Sequence, residues 1–589
     1  MEPPAHDKNL ERLIQLGIAL SAERDHDRLL ETLLAEAQRL TNADGGTIYL
    51  LNDKEELEFA IINNATLEIQ RGGSSGFEIT LPALPLYDPE TGQAMDKNVA
   101  SYAAIHRQTI NIDDAYAHDK FDFSGTQKFD EQTGYHSESF LTIPMRERKK
   151  GEVIGVLQLI NAKHPETEET IPFAAEVVPH VEALSSQAAV AIDNHNLLDA
   201  QRRLMEAFIS LIAGAIDAKS PYTGGHCTRV PDIAKRLLNA VIDASEGPFA
   251  DFSFDDEEHY AFHIGAWLHD CGKVTTPEYV VDKSTKLETI YNRIHEVRTR
   301  FEVLRRDAEI AYWKGVAEGG DEATLAAARD QRYQQLDDDF AFVAECNIGG
   351  EFMDPERKER LKEIGANEWL RNFDDRVGLA DLELERFKGL PPSDLPATER
   401  LLADRPDHVG ARTNGIGEHE PDNPWGFNVD VPTHAFNLGE LYNLCIDRGT
   451  LNSEERFKIN DHIIQTLIML ESLPWPKELQ RVPEYAGGHH EKLDGTGYPR
   501  GLTKEQMSVP ARIMVIADIF EALTASDRPY KKAKPLSEAI RIMGFMTKDQ
   551  HMDPDLFRLF LSSGVYRDYA EAHLDPEQID EVDISQYLS

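Results

Sequence analysis

The spacing of hydrophobic residues changes several times along the chain, and each change predicts a new element. From residue 10 to 40, the stretch LERLIQLGIALSAERDHDRLLETLLAEAQRL has apolar residues three and four positions apart, which predicts helix. After Asp44-Gly45-Gly46, runs such as GTIYLLN, LEFAII, SFLTIPMRE and GEVIGVLQLINA predict strands, and a helix follows from about residue 172. This order of helix, strands, loop, strands and helix predicts a first domain over residues 8–180.

A second helical pattern follows without a flexible linker. Residues 181–211 contain neither proline nor glycine, and one set of positions in them alternates spacings of four and three. The set consists of Val190, Asn194, Leu197, Gln201, Leu204, Phe208 and Leu211. Such spacing is typical of the seam of a two-stranded coiled coil. We expect residues 181–212 to form a connecting helix that carries a signal within a parallel homodimer; a helix packed on its own domain is the alternative.

The rest of the chain has mostly helical patterns, which predicts an all-α domain over residues 213–545 and a helical extension over 546–589. Residues of about 284–447 differ from their surroundings and are interpreted as a large insertion. Its first half predicts two charged helices joined at Gly319-Gly320, and its second half is rich in Pro, Gly and Asp, which predicts extended or loop structure. A lid over the active site and a partner-binding surface are both open roles for it.

Charge and composition restrict the partners. The chain has 104 acidic and 61 basic residues, a net charge of -43, which disfavours duplex nucleic acid and anionic membranes. An anionic ligand must then be captured locally, by metal ions or a few Arg and Lys side chains. With no basic leader and no run of eighteen apolar residues, we expect a cytoplasmic protein. The four cysteines lie far apart without a CxxC pair, so neither disulfides nor a structural zinc site is predicted.

Several histidines and aspartates suggest a metal centre. His269 and Asp270 follow an apolar helical run in AFHIGAWLHDCGK, and His489 and His490 are adjacent in GGHHEKLDGTGYPRGL. His226 lies near a predicted helix start. Asp518 falls within an apolar segment, where an unpaired carboxylate would be costly unless a cation faces it.

Two of these motifs carry a specific resemblance. HDCGK (269–273) and HHEKLDGTGYP (489–499) resemble the HD-GYP branch of the HD-domain phosphohydrolases. The resemblance implies a helical domain that holds two divalent transition metals, Fe or Mn with Zn as the alternative. The implied ligands are His226, His269, Asp270, His462, His489, His490 and Asp518, with Asp270 bridging.

One ligand in this set has a competitor, and one position departs from the family. His462 follows the family's LT-x-EE pattern in LNSEERFKINDH, whereas His295 lies at the more usual distance from the HD pair. Because the insertion accounts for the changed distance, we favour His462. Relatives with three metals have a Glu four residues before the first histidine, where this chain has Tyr222. The expectation is therefore a two-metal site.

The implied activity is hydrolysis of a bacterial cyclic dinucleotide by a metal-dependent phosphodiesterase. Cyclic di-GMP is the first candidate and cyclic GMP-AMP the second; a catalytically weak receptor for a dinucleotide or signalling partner, and a hydrolase of another phosphate ester, are the alternatives. Lys273 and Asp270 are the expected catalytic residues. Residues that would bind substrate are Arg528 and Lys531 at a second phosphate, and Asp494, Gly497 and Tyr498 at the pocket mouth.

The first domain has a resemblance of its own. LTIPMRERKKGEVIGVLQLINAKHPETEETIPF (141–173) resembles GAF sensory domains, which implies an α/β (α+β) fold with an antiparallel sheet that regulates the catalytic domain. Relatives that bind cyclic nucleotides carry Asn-Lys and a Phe followed by Asp-Glu, whereas this chain has Asn161-Ala162 and Glu176-Val177 after Phe173. A cyclic nucleotide, another small ligand and a role in dimerisation all remain open for this domain.

Overall fold

The computed structural model describes residues 25–147, 151–219, 225–350, 352–412, 422–526 and 533–588, together with residues 17 and 23. The chain divides into two compact units, residues 1–206 and 207–589. Among the helices that the described residues form, none combines the length and apolar character that crossing a bilayer requires.

The first unit combines helices with one sheet. Its helices are α1 His26–Thr41, α2 Val99–His106, α3 Ser124–Thr133 and the first part of α4, Val178–Asp217. Its strands are β1 Ala43–Leu51, β2 Glu56–Asn64, β3 Ile69–Gly72, β4 Leu84–Pro85, β5 Ile110–Ile112, β6 Phe140–Arg146, β7 Val153–Lys163 and β8 Thr170–Ile171.

The sheet is antiparallel and has the order β3-β2-β1-β7-β6-β5, with β4 beside β2 and β8 beside β7. Ile48 of β1 lies opposite Leu157 of β7, and both are fully buried. Leu33 of α1 and Leu184 of α4 belong to the same core, so helices cover this face of the sheet. The arrangement confirms the predicted α/β domain with an antiparallel sheet.

Helix α4 extends beyond the predicted connecting segment at both ends. Its early residues Leu184 and Ile192 are buried, but the predicted seam is not. Leu197, Leu204 and Leu211 have 59%, 57% and 68% of their surface exposed. Exposed leucines in regular succession are unusual on a helix whose partners are all present.

The second unit is mainly helical, as predicted. It starts with the end of α4, followed by α5 His226–Ile242, α6 Asp256–Leu268, α7 Glu278–Val281, α8 Ile294–Ala317, α9 Glu322–Ile348, α10 Pro355–Gly365, α11 Asp381–Leu384, α12 Glu440–Leu444, α13 Ser453–Glu471, α14 Val482–Gly487, α15 Val509–Thr524, α16 Leu536–Lys548, α17 Pro554–Ser562, α18 Val565–His573 and α19 Ser585–Leu588. Helices α17 and α18, from the predicted C-terminal extension, pack against α5.

The insertion contains the two expected long helices, α8 and α9, on either side of Gly319-Gly320. Its second half has more order than the composition predicted, because four short strands form two hairpins. These strands are β9 Glu368–Arg371, β10 Ala397–Arg400, β11 Val409–Ala411 and β12 His434–Asn437. Buried residues of α8, α9 and α10, including Val297, Val343 and Leu361, form a hydrophobic cluster of the insertion's own.

A glycine allows the HD motif to lie directly on α13. A short 3-10 turn, Cys271–Thr275, packs on this helix, and the Gly272 amide donates to Thr466 Oγ1 at 2.9 Å. A Cβ atom at Gly272 would lie 1.9 Å from the His462 carbonyl oxygen, closer than any side chain permits. The glycine therefore lets the HD pair approach His462, which lies on the far side of the insertion in sequence.

Candidate metal centre

Three histidines of the predicted set are held by the same kind of hydrogen bond. The Nδ1 atoms of His269, His462 and His489 each donate to the backbone carbonyl three residues earlier, at 2.7, 2.5 and 2.8 Å. A protonated Nδ1 leaves the lone pair on Nε2, which is the atom that each ring turns toward the others. Hydrogen bonds of this type fix the tautomer and orientation of metal-binding imidazoles.

A fourth histidine is oriented by a carboxylate. The Nδ1 atom of His226, at the start of α5, lies 2.6 Å from Oε2 of the buried Glu521. Arg229 donates to the other oxygen of Glu521 at 2.8 Å. Arg229 thus stabilises the carboxylate that orients His226, which leaves the Nε2 atom of His226 facing the centre.

Asp270 lies between two groups of histidines. Its Oδ2 atom is 3.0 Å from His226 Nε2 and 3.3 Å from His269 Nε2. Its Oδ1 atom is 3.2 Å from His462 Nε2 and 3.8 Å from His489 Nε2. A carboxylate with one oxygen toward each group has the geometry that a bridge between two cations requires.

The donor atoms form overlapping sets. Atoms of His226, His269 and Asp518 lie within 4.8 Å of one another, as do those of His462, His489 and His490. His269, Asp270 and His489 form a third such set that overlaps the other two. All seven ligands implied by the sequence are therefore brought together.

The centre has the polar features that cations would satisfy. Asp270 Oδ1 and His489 Nε2 are buried without a hydrogen-bond partner among the described residues. His462 Nε2 and His490 Nε2 lie 3.1 Å apart, although Nδ1 of His462 is already a donor. A buried acceptor without a donor, such as Asp270 Oδ1, is costly unless a positive ion satisfies it. Imidazole and carboxylate donors suit divalent transition metals.

The protonation states also favour a cation. Burial lowers the pKa of His489 to about 4 and lowers the pKa of His490 well below its usual value, so both rings are neutral at neutral pH. Burial opposes ionisation of Asp270, but Lys273 and the facing histidines outweigh it and hold the pKa of Asp270 well below the usual range. Neutral imidazoles and ionised carboxylates are the forms that bind metal.

Lys273 is part of the centre. Its Nζ atom lies 2.5 Å from Asp270 Oδ2, the oxygen that also faces His226 and His269. The lysine side chain is 28% exposed, whereas that of Asp270 is buried. The catalytic role of Lys273 stays a prediction.

Contacts among residues of the loop after His490, and with His490 itself, fix the conformation of this loop. The Tyr498 ring stacks on His490 with centroids 4.9 Å apart, and a Cβ at Gly497 would lie 2.3 Å from the Lys492 amide nitrogen. The buried Glu491 accepts from the amides of Arg500 and Leu502 at 2.7 and 2.9 Å, which closes the loop. Asp494, predicted at the pocket mouth, is exposed and accepts from the amide and hydroxyl of Thr496.

Other residues from the sequence analysis lie away from the centre or outside the described residues. His295 is exposed on α8 and lies 2.6 Å from Arg298, so the structure places His462, and not His295, beside Asp270. Tyr222, Arg528 and Lys531 fall outside the described residues. The assignments of Arg528 and Lys531 stay predictions.

The sequence analysis missed Glu521 and Glu491. Glu521 follows Asp518 by three residues on α15, so both project from the same side of that helix. That spacing was the available signal, but the partner, His226, is 295 residues away. Glu491 directly follows the histidine pair, and its role depends on backbone amides that no side-chain pattern identifies.

Comparison with known proteins assigns both units to domain families. A model described as GAF domain matches residues 25–192, and a model described as HD domain matches residues 396–556. The second match contains His462, His489, His490 and Asp518, whereas His226 and the HD pair precede it. The chain thus carries a GAF domain followed by an HD domain.

Several curated proteins are similar to part of the chain. A 3'3'-cGAMP-specific phosphodiesterase 3 of Vibrio cholerae is 42% identical over 126 residues, 20% of this chain and 26% of that protein. A cyclic di-GMP phosphodiesterase of Pseudomonas aeruginosa is 49% identical over 79 residues, 13% and 18% of the two chains. One of Thermotoga maritima is 49% identical over 112 residues, 19% and 30%. The chain therefore spans less than a third of the length of these relatives.

The two candidate histidines give a direct test of the ligand set. Replacing His462 with Ala removes an Nε2 atom beside Asp270. We therefore expect the metal content to fall by about one ion per chain. His295→Ala is the matched control, because its exposed side chain faces solvent, and we expect unchanged metal. Elemental analysis of the purified full-length variants measures both. Metal loss in His295→Ala with retention in His462→Ala would contradict the assignment.

Glu521 should affect metal affinity although it contacts the Nδ1 atom of His226 and is not itself one of the expected ligands. We expect Glu521→Ala to weaken metal binding about 10–100-fold, the usual effect of removing a carboxylate that orients a metal-binding histidine. Glu538→Ala is the control, since Glu538 lies on α16 and forms its ion pair with Lys534, which precedes that helix. Competition with a chelator of known affinity measures the change. Equal affinities of the two variants would show that Glu521 does not position His226.

Proposed function

We propose that this chain, which joins a GAF domain to an HD domain, is a metal-dependent phosphodiesterase that hydrolyses a cyclic dinucleotide. Cyclic di-GMP is the first candidate substrate and cyclic GMP-AMP the second. The observation that carries the proposal is the position of Asp270, with one oxygen toward each of two histidine groups. The names of the partial relatives, which act on these two dinucleotides, support the substrate class.

Two divalent ions would be held by the two donor sets around Asp270. His226, His269 and Asp518 would hold one, and His462, His489 and His490 the other. Fe or Mn is expected, with Zn as the alternative. Such ions, when bound, provide an activated nucleophile at neutral pH and stabilise the attacking and leaving oxygens of an in-line displacement at phosphorus.

The chain's own residues would orient the substrate and handle charge. The Lys273 ammonium, beside Asp270, would contact an anionic phosphate oxygen or protonate the leaving oxygen of the ribose. Its hydrogen bond to Asp270 keeps the ammonium near the reacting group. The expected product is the linear dinucleotide, with mononucleotides as a further product. Arg528 and Lys531 would bind the second phosphate.

Replacement of Asp270 tests the activity. We expect the full-length protein loaded with Mn²⁺ or Fe²⁺ to contain about two ions per chain and to open cyclic di-GMP or cyclic GMP-AMP. Asp270→Asn should reduce turnover by more than about 100-fold, the upper range for residues that only orient a ligand. Asp338→Asn, at an exposed position of α9, is the control. Chromatography of the products measures turnover.

Three outcomes would contradict this proposal or part of it. Binding of a dinucleotide without turnover by the metal-loaded protein would favour a receptor. Turnover of other phosphate esters alone would point to a different hydrolase. A metal content near three ions per chain would contradict the two-metal site.

We also propose that the protein is a homodimer through α4, as the coiled-coil spacing predicts. The seam residues Leu197, Leu204, Phe208 and Leu211 are all exposed, and their alternating spacing fits a second copy of the same helix. A parallel pair of α4 helices would carry a signal from the GAF domain, whose small ligand is unidentified.

A charge in the seam should separate the dimer. We expect Leu197→Glu combined with Leu204→Glu to reduce the mass in solution from two chains to one, because buried like charges would face each other across the seam. Asn196→Glu is the control, since Asn196 is exposed but lies outside the seam spacing. Light scattering after size-exclusion chromatography measures the mass. A monomeric unmodified protein would overturn the proposal.

A further inference from the structure

A cavity of about 1080 Å³ lies next to the candidate metal centre. Pockets for small molecules usually have volumes of about 300–1,000 Å³, so this one is large enough for a dinucleotide. Helix α13 and the loop around Tyr498 form part of its wall, and the insertion with the residues that directly follow it forms most of the rest, through residues 428–432 and 445–448. The insertion thus lines the same cavity as the loop that lies beside the centre.

The insertion's contribution to this wall is anchored at several points. The Asn428 amide donates to the Pro499 carbonyl oxygen at 2.7 Å, and Arg500 Nε donates to the Trp425 carbonyl oxygen at 2.8 Å. Phe427 packs in a buried cluster with Ile464 and Leu467 of α13. These contacts fix the segment against the loop that follows the histidine pair.

The cavity borders the metal-binding residues at Tyr498. This side chain lines the cavity and stacks on His490. A ligand that fills the cavity would therefore have one end close to the centre.

The lining chemistry suits a nucleotide. Arg448 and Arg456 are exposed in the wall, and neither forms an ion pair with any residue that the structure describes. Tyr442 and Tyr498 also line the wall, and nucleobases stack on aromatic rings and guanidinium planes. The carboxylates of Asp430, Asp447 and Asp461 can accept hydrogen bonds from base N–H groups.

The charged residues of this wall are two arginines and three aspartates, so Arg448 and Arg456 are its cationic groups. With a net charge of -43, the protein repels an anionic ligand in general. Guanidinium groups bind phosphate oxygens through paired hydrogen bonds, which gives both affinity and orientation. Arg448 directly follows the insertion and Arg456 lies on α13, so the two would hold a ligand from two parts of the wall.

We propose that the insertion builds a specificity pocket for the half of a cyclic dinucleotide that lies away from the bond being cut. Arg448 and Arg456 contact its phosphate together with Arg528 and Lys531, and the aromatic and carboxylate side chains contact its base. The inference rests on the proposed phosphodiesterase function and extends it to recognition of the substrate. It also gives the insertion a part in the active site.

The test compares a large and a small phosphodiester. For Arg448→Ala and Arg456→Ala in the full-length, Mn²⁺-loaded protein, we expect the KM for cyclic di-GMP to rise about tenfold or more, because a charge-assisted contact is lost. Hydrolysis of bis(4-nitrophenyl) phosphate, which has no second phosphate for the two arginines to contact, should stay unchanged, as should metal content. Arg306→Ala, on the exposed face of α8, is the control for loss of a charge.

The outcomes separate the inference from the function on which it rests. An unchanged KM for cyclic di-GMP in both variants, with normal turnover by the unmodified protein, would overturn the pocket and leave the phosphodiesterase intact. Equal losses on both substrates would also overturn it, since they indicate damage to the centre. The unmodified protein could also bind cyclic di-GMP without hydrolysing it, while both variants fail to bind it. That result would support the pocket and overturn the proposed phosphodiesterase activity.

Discussion

The buried carboxylate of Asp270 is the group on which the arrangement of the second unit depends. An ionised carboxylate inside a protein costs several kcal/mol unless positive or hydrogen-bonding groups surround it. Lys273 provides one such group, and the two histidine groups enclose the remaining directions. Because the donors come from α5, from the end of α6, from α13 and from the loop after α14, helices far apart in sequence must converge on this one side chain.

Backbone carbonyls and a single glycine make that convergence possible. Three of the rings are held by the carbonyl of their own helical turn, so their orientation is set as soon as the local helix forms. Because Gly272 has no side chain, the HD turn can lie directly on α13. The hydrogen bonds that orient the imidazole rings and the close contact at Gly272 therefore act together. Both are needed to put one oxygen of Asp270 next to each group of histidines.

Much of the site was predictable because its ligands lie in short, specific motifs, HDCGK and HHEKLDGTGYP. The long helices of the insertion were predictable as well, since their patterns extend over many turns. The pairing of His226 with Glu521 was not, because it joins residues 295 positions apart. Strands of three or four residues, such as β11, are too short for alternation to be detected. The insertion's place beside Tyr498 depends on backbone hydrogen bonds, which leave no trace in composition.

The two ends of the insertion meet. Thr450 donates to the Lys283 carbonyl oxygen at 3.2 Å, and Lys283 forms a buried ion pair with Glu455 at 2.8 Å. A segment that leaves and rejoins the fold at one place changes the free energy of folding only logarithmically with its length. The segment between Lys283 and Thr450 is thus free to lengthen, shorten or change in sequence without displacing the metal ligands. Substrate range can evolve in that segment while the chemistry stays constant.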